Sequence, residues 1–243
     1  MKSILNSIKP KTPLFGFKVD PNSTHREFLE ASIVHLLNTT PSNSKIVLYE
    51  IGTGGESSRI MYKYMSEHKN VYLVSFENNA KWFDIYRDMY PEHERHTIKN
   101  VEQDSKWPQT IENELSVLSE NSVLLSFIDS APWESRTSAF KILGGRSALT
   151  LIHDVDYFPH NKVFGYEEVG ITKNPFGILR YGKLKSKFLG KRSYDDVFTS
   201  WVEVFPTVPG YFTGPPTLIG SNSLTVHEIR LPEASIRQGF SAH

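Results

Sequence analysis

Two apolar textures alternate along this chain. Short unbroken apolar runs occur at Ile46–Ile51, Val71–Phe76, Ser122–Ile128 and Ala148–His153, with a weaker one at His96–Val101. Between them, apolar residues recur every three or four positions, which is the spacing of a helix with one buried face. This spacing predicts helices over 57–68, where Ile60, Met61, Tyr64 and Met65 share a face, and near 79–89, 109–119 and 134–143. Upstream, Phe28, Leu29, Ile33, Leu36 and Leu37 also share a helical face, and Thr24 with Glu27 fits a capping box ahead of them. Strands that are apolar on both sides need cover on both faces. An α/β fold follows, with a seven-stranded, mostly parallel sheet and helices on both faces. The two closing strands are expected at Phe198–Phe205 and Pro216–Ser221, joined by the loop Pro206–Pro215.

Length and charge narrow the picture further. At 243 residues the chain fits one large domain (1–243). Within it we expect an N-terminal arm and helix (1–40), a sheet core (44–157), an insertion on the acceptor side (158–197), and closing strands with a tail (198–243). Lys and Arg total 27 and Asp and Glu total 27, so no net field draws the chain to nucleic acid or anionic lipid. The absence of cysteine excludes disulfides, thiolate metal sites and cysteine nucleophiles. No 18-residue apolar run and no signal-peptide core is present, so the expected location is the cytoplasm, or a host's cytoplasm if a virus encodes the chain. A homodimer is compatible with these features, and a membrane partner is not expected.

In open parallel sheets, ligands sit beyond the carboxyl ends of the strands. The residues expected there are acidic at nearly every strand. The first strand runs through Glu50 into the turn Gly52-Thr53-Gly54-Gly55, the second ends at Glu77, and the third is followed by Asp104. The fourth ends at Asp129, and the fifth at His153, Asp154 and Asp156. A glycine turn feeding a helix N-terminus lets a ligand touch the backbone. Glu50, two residues before Gly52, suits a ligand with a cationic amino group. Glu77, 23 residues after Gly54, stands where an acid accepts ribose hydroxyls. Asp104 is a candidate acceptor for an adenine amino group. Trp107 offers an adenine stack or, more simply, a core side chain.

A dinucleotide fingerprint would place a third glycine at position 57, where this chain has Ser57. Instead Glu50-Ile51-Gly52-Thr53-Gly54-Gly55, the acid Glu77 and the strand-four Asp129 resemble class I S-adenosylmethionine-dependent methyltransferases, a Rossmann-like family. The resemblance covers about 44–157 and the closing strands. It implies S-adenosylmethionine as cofactor, its methionine part held by Glu50, Gly52, Gly54 and Gly55 and its ribose by Glu77. Thr53, Ser57, Asp104 and Asp129 are counted with this cofactor set.

On the acceptor side, catechol and macrolide-sugar O-methyltransferases bind a divalent cation with acids after strands four and five. Asp129, Asp154 and Asp156 would form such a cluster here and would take Mg²⁺, although Val155 separates acids that are usually adjacent. Without metal, the expected catalytic residues are His153, Asp154 and Asp129. His153 has a pKa suited to accepting a hydroxyl proton, and Asp154 would act as base itself or orient the imidazole. His25, His35, His93 and His160 show no comparable placement. Ser130-Ala131-Pro132-Trp133 departs from the motif of DNA amino-methyltransferases by Ala131, and no basic excess supports nucleic-acid binding.

The segment 160–192, with eight Lys or Arg against two acids, and Trp201, Tyr211, Phe212 and Gly214–Thr217 are expected to shape an acceptor pocket. With the stretches Asp129–Arg136 and His153–Phe158, this region resembles small glycan-modifying methyltransferases, including those of large algal viruses. That resemblance implies a sugar or glycan hydroxyl as acceptor. Two alternatives stay open: a metal-assisted enzyme acting on a catechol-like small molecule, and a cofactor-binding partner protein without turnover.

Overall fold

The computed structural model describes residues 25–153, 197–208, 212–213, 217–232 and 234–240. Five helix–strand pairs occupy the first stretch. They are α1 (Arg26–Thr39), β1 (Lys45–Ile51), α2 (Gly55–Glu67), β2 (Val71–Glu77), α3 (Ala80–Met89), β3 (His96–Asn100), α4 (Trp107–Ser116), β4 (Ser122–Ile128), α5 (Trp133–Leu143) and β5 (Leu149–His153). All five helices and all five strands predicted between 26 and 153 are present. The closing strands are β6 (Ser200–Val208), β7 (Phe212–Thr213), β8 (Thr217–Ser221) and β9 (Ala234–Phe240).

Strand order is β3-β2-β1-β4-β5-β8-β6. β1 to β5 pair in parallel, β8 enters antiparallel beside β5, and β6 pairs antiparallel with β8. The seven-stranded, mostly parallel sheet is therefore as expected. Two strands extend it: β7 forms a short hairpin with β6, and β9 pairs along β6 from Ser200↔Phe240 to Pro206↔Ala234. The expected single loop over 206–215 thus contains a hairpin, and the expected tail contains a strand.

Alternation along the strands divides the core in two. Ile46, Leu48, Leu125, Phe127, Leu149 and Leu151 face α1 and α2, together with Val226 and Ile229. Val47, Tyr49, Ile51, Leu124, Ile128 and Ile152 face the other way, onto Trp107 and Ile111 of α4 and Ala139, Phe140 and Leu143 of α5. α1 differs in one detail from the expected capping box. Its N-cap is His25, with no side-chain cap hydrogen bond, and Thr24 lies outside the described residues. No helix among the described residues is long and apolar enough to cross a membrane.

Candidate functional site

The parallel strands β2, β1, β4 and β5 end side by side, which gathers the residues that follow them along one edge. Gly52 makes the turn possible. Its φ is +88°, and an added Cβ would lie 2.5 Å from Ser130 Cα and 2.7 Å from Ser130 N. The glycine turn is therefore packed backbone to backbone against the end of β4, with no room for a side chain. Gly55 is different: a Cβ there would meet nothing nearer than the Tyr86 hydroxyl at 3.9 Å. Packing does not demand glycine at 55, and the first turn of α2 is left bare toward the edge of the sheet.

Glu77 meets this turn directly. Its Oε2 accepts hydrogen bonds from the Thr53 backbone N–H (3.0 Å) and the Thr53 hydroxyl (2.6 Å), and its Oε1 accepts one from the Asn79 N–H (2.7 Å). The acid after β2 and the glycine turn after β1 thus lie close enough to hold one ligand. Across the same edge, the Asn78 side-chain amide donates to the Ala131 carbonyl at 2.7 Å, tying the loop after β2 to the loop after β4.

Glu50 is placed differently from expectation. It has no exposed surface, and its carboxylate accepts from Ser57 and Ser58 (2.7 Å each) and from Ser75 (2.8 Å). Burial pushes its carboxyl up to about 7, against the pull of those hydroxyls. Its role within the described residues is to fasten the first turn of α2 to β1 and β2, and Ser57 is committed to it. Asp104 opens a 3-10 turn, Asp104–Lys106, beyond β3; nothing of its side chain is described. Trp107 is fully buried in the α4–α5 core, so the adenine stack gives way to the core placement.

At β4 and β5 the structure assembles a second cluster. Asp129 Oδ1 pairs with Arg136 at 2.7 Å, and Oδ2 faces His153 Nδ1 at 3.3 Å. Burial works to raise the Asp129 carboxyl, but the Arg136 charge and His153 outweigh it and hold it well below the usual carboxylate range. Arg136 also donates to the carbonyls of Ser130 (2.7 Å) and His153 (2.8 Å), clamping the ends of both strands. Asp154 and Asp156 lie outside the described residues, as do 160–192, Tyr211 and Gly214–Pro216. Of the expected acidic metal cluster, only Asp129 is described.

Two residues here carry no mark in the sequence. Arg136 looks like an ordinary helix residue until the β4–α5 loop folds it back. His25, which has no strand-end placement, is buried with its ring 4.5 Å from that of His153 and 4.8 Å from that of Phe127. Among the described residues neither of its ring nitrogens has a hydrogen-bond partner. Burial, helped by His153, pushes its imidazole down to about 3, so it is neutral at ordinary pH. His25 reaches His153 because α1 begins over the ends of β4 and β5, a long-range contact with no local signal.

No family model matches the chain. No curated protein matches it either. Among solved structures, a probable spermidine synthase from Corynebacterium glutamicum ATCC 13032 superposes with a TM-score of 0.50 at 12% identity, over 89% of this chain and 74% of that one. Protein LPL1258 from Legionella pneumophila str. Philadelphia 1 gives 0.48 at 8% identity, over 90% and 97% of the two chains. A precorrin-6y C5,15-methyltransferase from Geobacter metallireducens GS-15 gives 0.39 at 10% identity, over 86% and 90%. The likeness to the first establishes a shared Rossmann-like fold, the fold class that the glycine turn and strand pattern imply. At such identities it does not reach to chemistry.

Proposed function

We propose that this protein is an S-adenosylmethionine-dependent O-methyltransferase acting on a hydroxyl of a sugar or glycan. The observation that carries this reading is the meeting of Glu77 with the glycine turn at Thr53, on the same strand edge where Asp129 reaches solvent with the buried His153 beside it. The residues fit a nucleoside ligand with a charged amino acid end. The bare first turn of α2, from Gly55 on, offers backbone donors, and Glu77 offers its carboxylate to a ribose diol in exchange for the Thr53 hydroxyl. The donor, when bound, supplies a methyl group already activated by a positive sulfur.

The chain's own residues have three tasks. The strand edge aligns the acceptor oxygen with the methyl group. His153 takes the hydroxyl proton as the oxygen–carbon bond forms and the sulfur–carbon bond breaks. Asp129, at 3.3 Å from Nδ1, fixes the imidazole tautomer so that the opposite ring nitrogen is the proton acceptor, and then faces the imidazolium. Arg136 keeps Asp129 ionised for that purpose.

Calorimetry with S-adenosylhomocysteine tests the donor half. We expect saturable binding, weakened by about 1.5–3 kcal/mol in Glu77→Ala through loss of hydrogen bonds to a charged group. No binding, or an affinity indifferent to this substitution, would refute the site. Labelled methyl transfer to a panel of nucleotide sugars and oligosaccharides, with catechols alongside, tests the acceptor half. Cofactor binding without transfer to any of them would favour a partner protein without turnover.

A further inference from the structure

We infer that His25, Asp129 and His153 form a binding site for one divalent transition-metal ion of the Zn²⁺ type, where α1 meets the ends of β4 and β5. One ligand atom from each residue lies within 4.8 Å of the other two. Two nitrogens bonded to one tetrahedral ion at about 2.0–2.1 Å stand about 3.4 Å apart, so side-chain rotations that close the widest separation by about 1.5 Å complete the coordination. The donor set decides the metal class. Two imidazoles and one carboxylate suit zinc, iron or cobalt, whereas magnesium asks for oxygen.

His25 supplies the independent observation. It is 2% exposed, its two nitrogens have no partner among the described residues, and its ring packs against that of His153. A buried polar group left this way carries a desolvation cost that a bond to an ion removes. Nothing else in the described structure accounts for an imidazole, rather than a phenyl ring, at the start of α1.

The surroundings resemble those of a working site. Three protein ligands leave a coordination position for water or substrate. Asp129 is the member that reaches solvent, its side chain 21% exposed. Arg136 holds the far carboxylate oxygen at 2.7 Å, the kind of outer contact that orients a ligating acid. Its positive charge opposes a dication, so the expected affinity is micromolar rather than nanomolar. The site itself does not depend on the methyl-transfer reading, but its role does. There the ion would hold the acceptor hydroxyl and lower its pKa so that the proton leaves to water, with His153 a ligand instead of the base.

The test uses the full chain, stripped with chelator and dialysed. Zn²⁺ is titrated calorimetrically and Co²⁺ by visible absorption, with S-adenosylhomocysteine titrated separately into the same metal-free protein. We expect one ion per chain, with affinity at least tenfold weaker in His25→Ala and in His25→Gln. A zinc-soaked crystal should show an anomalous peak within bonding distance of all three residues, which keeps the test decisive if the variants do not fold. No stoichiometric uptake, uptake unchanged by both variants, or a peak elsewhere would overturn the site. Because the nucleoside titration is read independently, metal binding without cofactor binding would count against the methyltransferase alone.

Discussion

Replacing Glu50 by Gln isolates the most fully buried charge at the site. Burial lifts this carboxyl from 4.5 to about 7. The folded chain therefore holds the proton more tightly than the unfolded chain does. Folding gains from this in acid and loses the gain as pH rises from about 4.5 through 7. A tenfold difference in proton affinity is worth about 1.36 kcal/mol, so the full swing is about 3 kcal/mol, most of which falls between pH 5 and 8. Glutamine does not titrate. Its carbonyl can accept from Ser57 and Ser58, and its amide can donate to Ser75, whose hydroxyl is free to turn and accept. The packing is thus nearly conserved while the titration is removed. Guanidinium unfolding, followed by tryptophan fluorescence at pH 5, 6, 7 and 8, should show the variant gaining about 2–3 kcal/mol on the wild type across that range. A difference that stays constant to within about 0.5 kcal/mol would refute the argument that burial dominates at Glu50.

Four more outcomes are expected. Gly52→Ala should cost about 3 kcal/mol or more in denaturant unfolding, since its Cβ would meet Ser130 backbone at 2.5 Å with φ at +88°; Gly55→Ala, with nothing nearer than 3.9 Å, should stay within about 1 kcal/mol. His25 acts opposite to Glu50: its pKa falls from 6.5 to about 3, so its stability contribution is present above 6.5 and lost as pH falls toward 3. Between pH 7 and 5 that loss is about 2 kcal/mol, measurable in chelator as the difference between wild type and His25→Gln. Arg136→Met should destabilise by about 2–3 kcal/mol, because it removes the ion pair to the part-buried Asp129 and the hydrogen bonds to the carbonyls of Ser130 and His153. Arg26→Ala, at an exposed 3.9 Å pair with Glu56, should cost under about 0.5 kcal/mol by the same assay.

What the sequence discloses follows from how local each signal is. β1, β2, β4 and β5 are buried on both sides, so their apolar runs stand out, and strand ends place Glu77 and Asp129 without further knowledge. β9 was hidden because Ala-Ser-Ile-Arg-Gln-Gly-Phe has no apolar run and owes its conformation to β6. Glu50 was legible as an acid before the turn, but not as one sealed by serines. Its partners lie one helical turn and one strand away, and only the fold points all three hydroxyls at the same carboxylate. His25 and Arg136 are the extreme cases: their chemistry arises where separate segments converge, and nothing around them in the chain marks them.

The contact between Thr53 and Glu77 has a consequence for selectivity. The acid is already satisfied by its own chain, so an incoming diol exchanges with the threonine hydroxyl instead of adding to a bare carboxylate. A nucleoside with both ribose hydroxyls would return two hydrogen bonds for the one hydroxyl it displaces, whereas a deoxyribose would return only one. Discrimination between ribose and deoxyribose would thus be enforced by competition from within the protein.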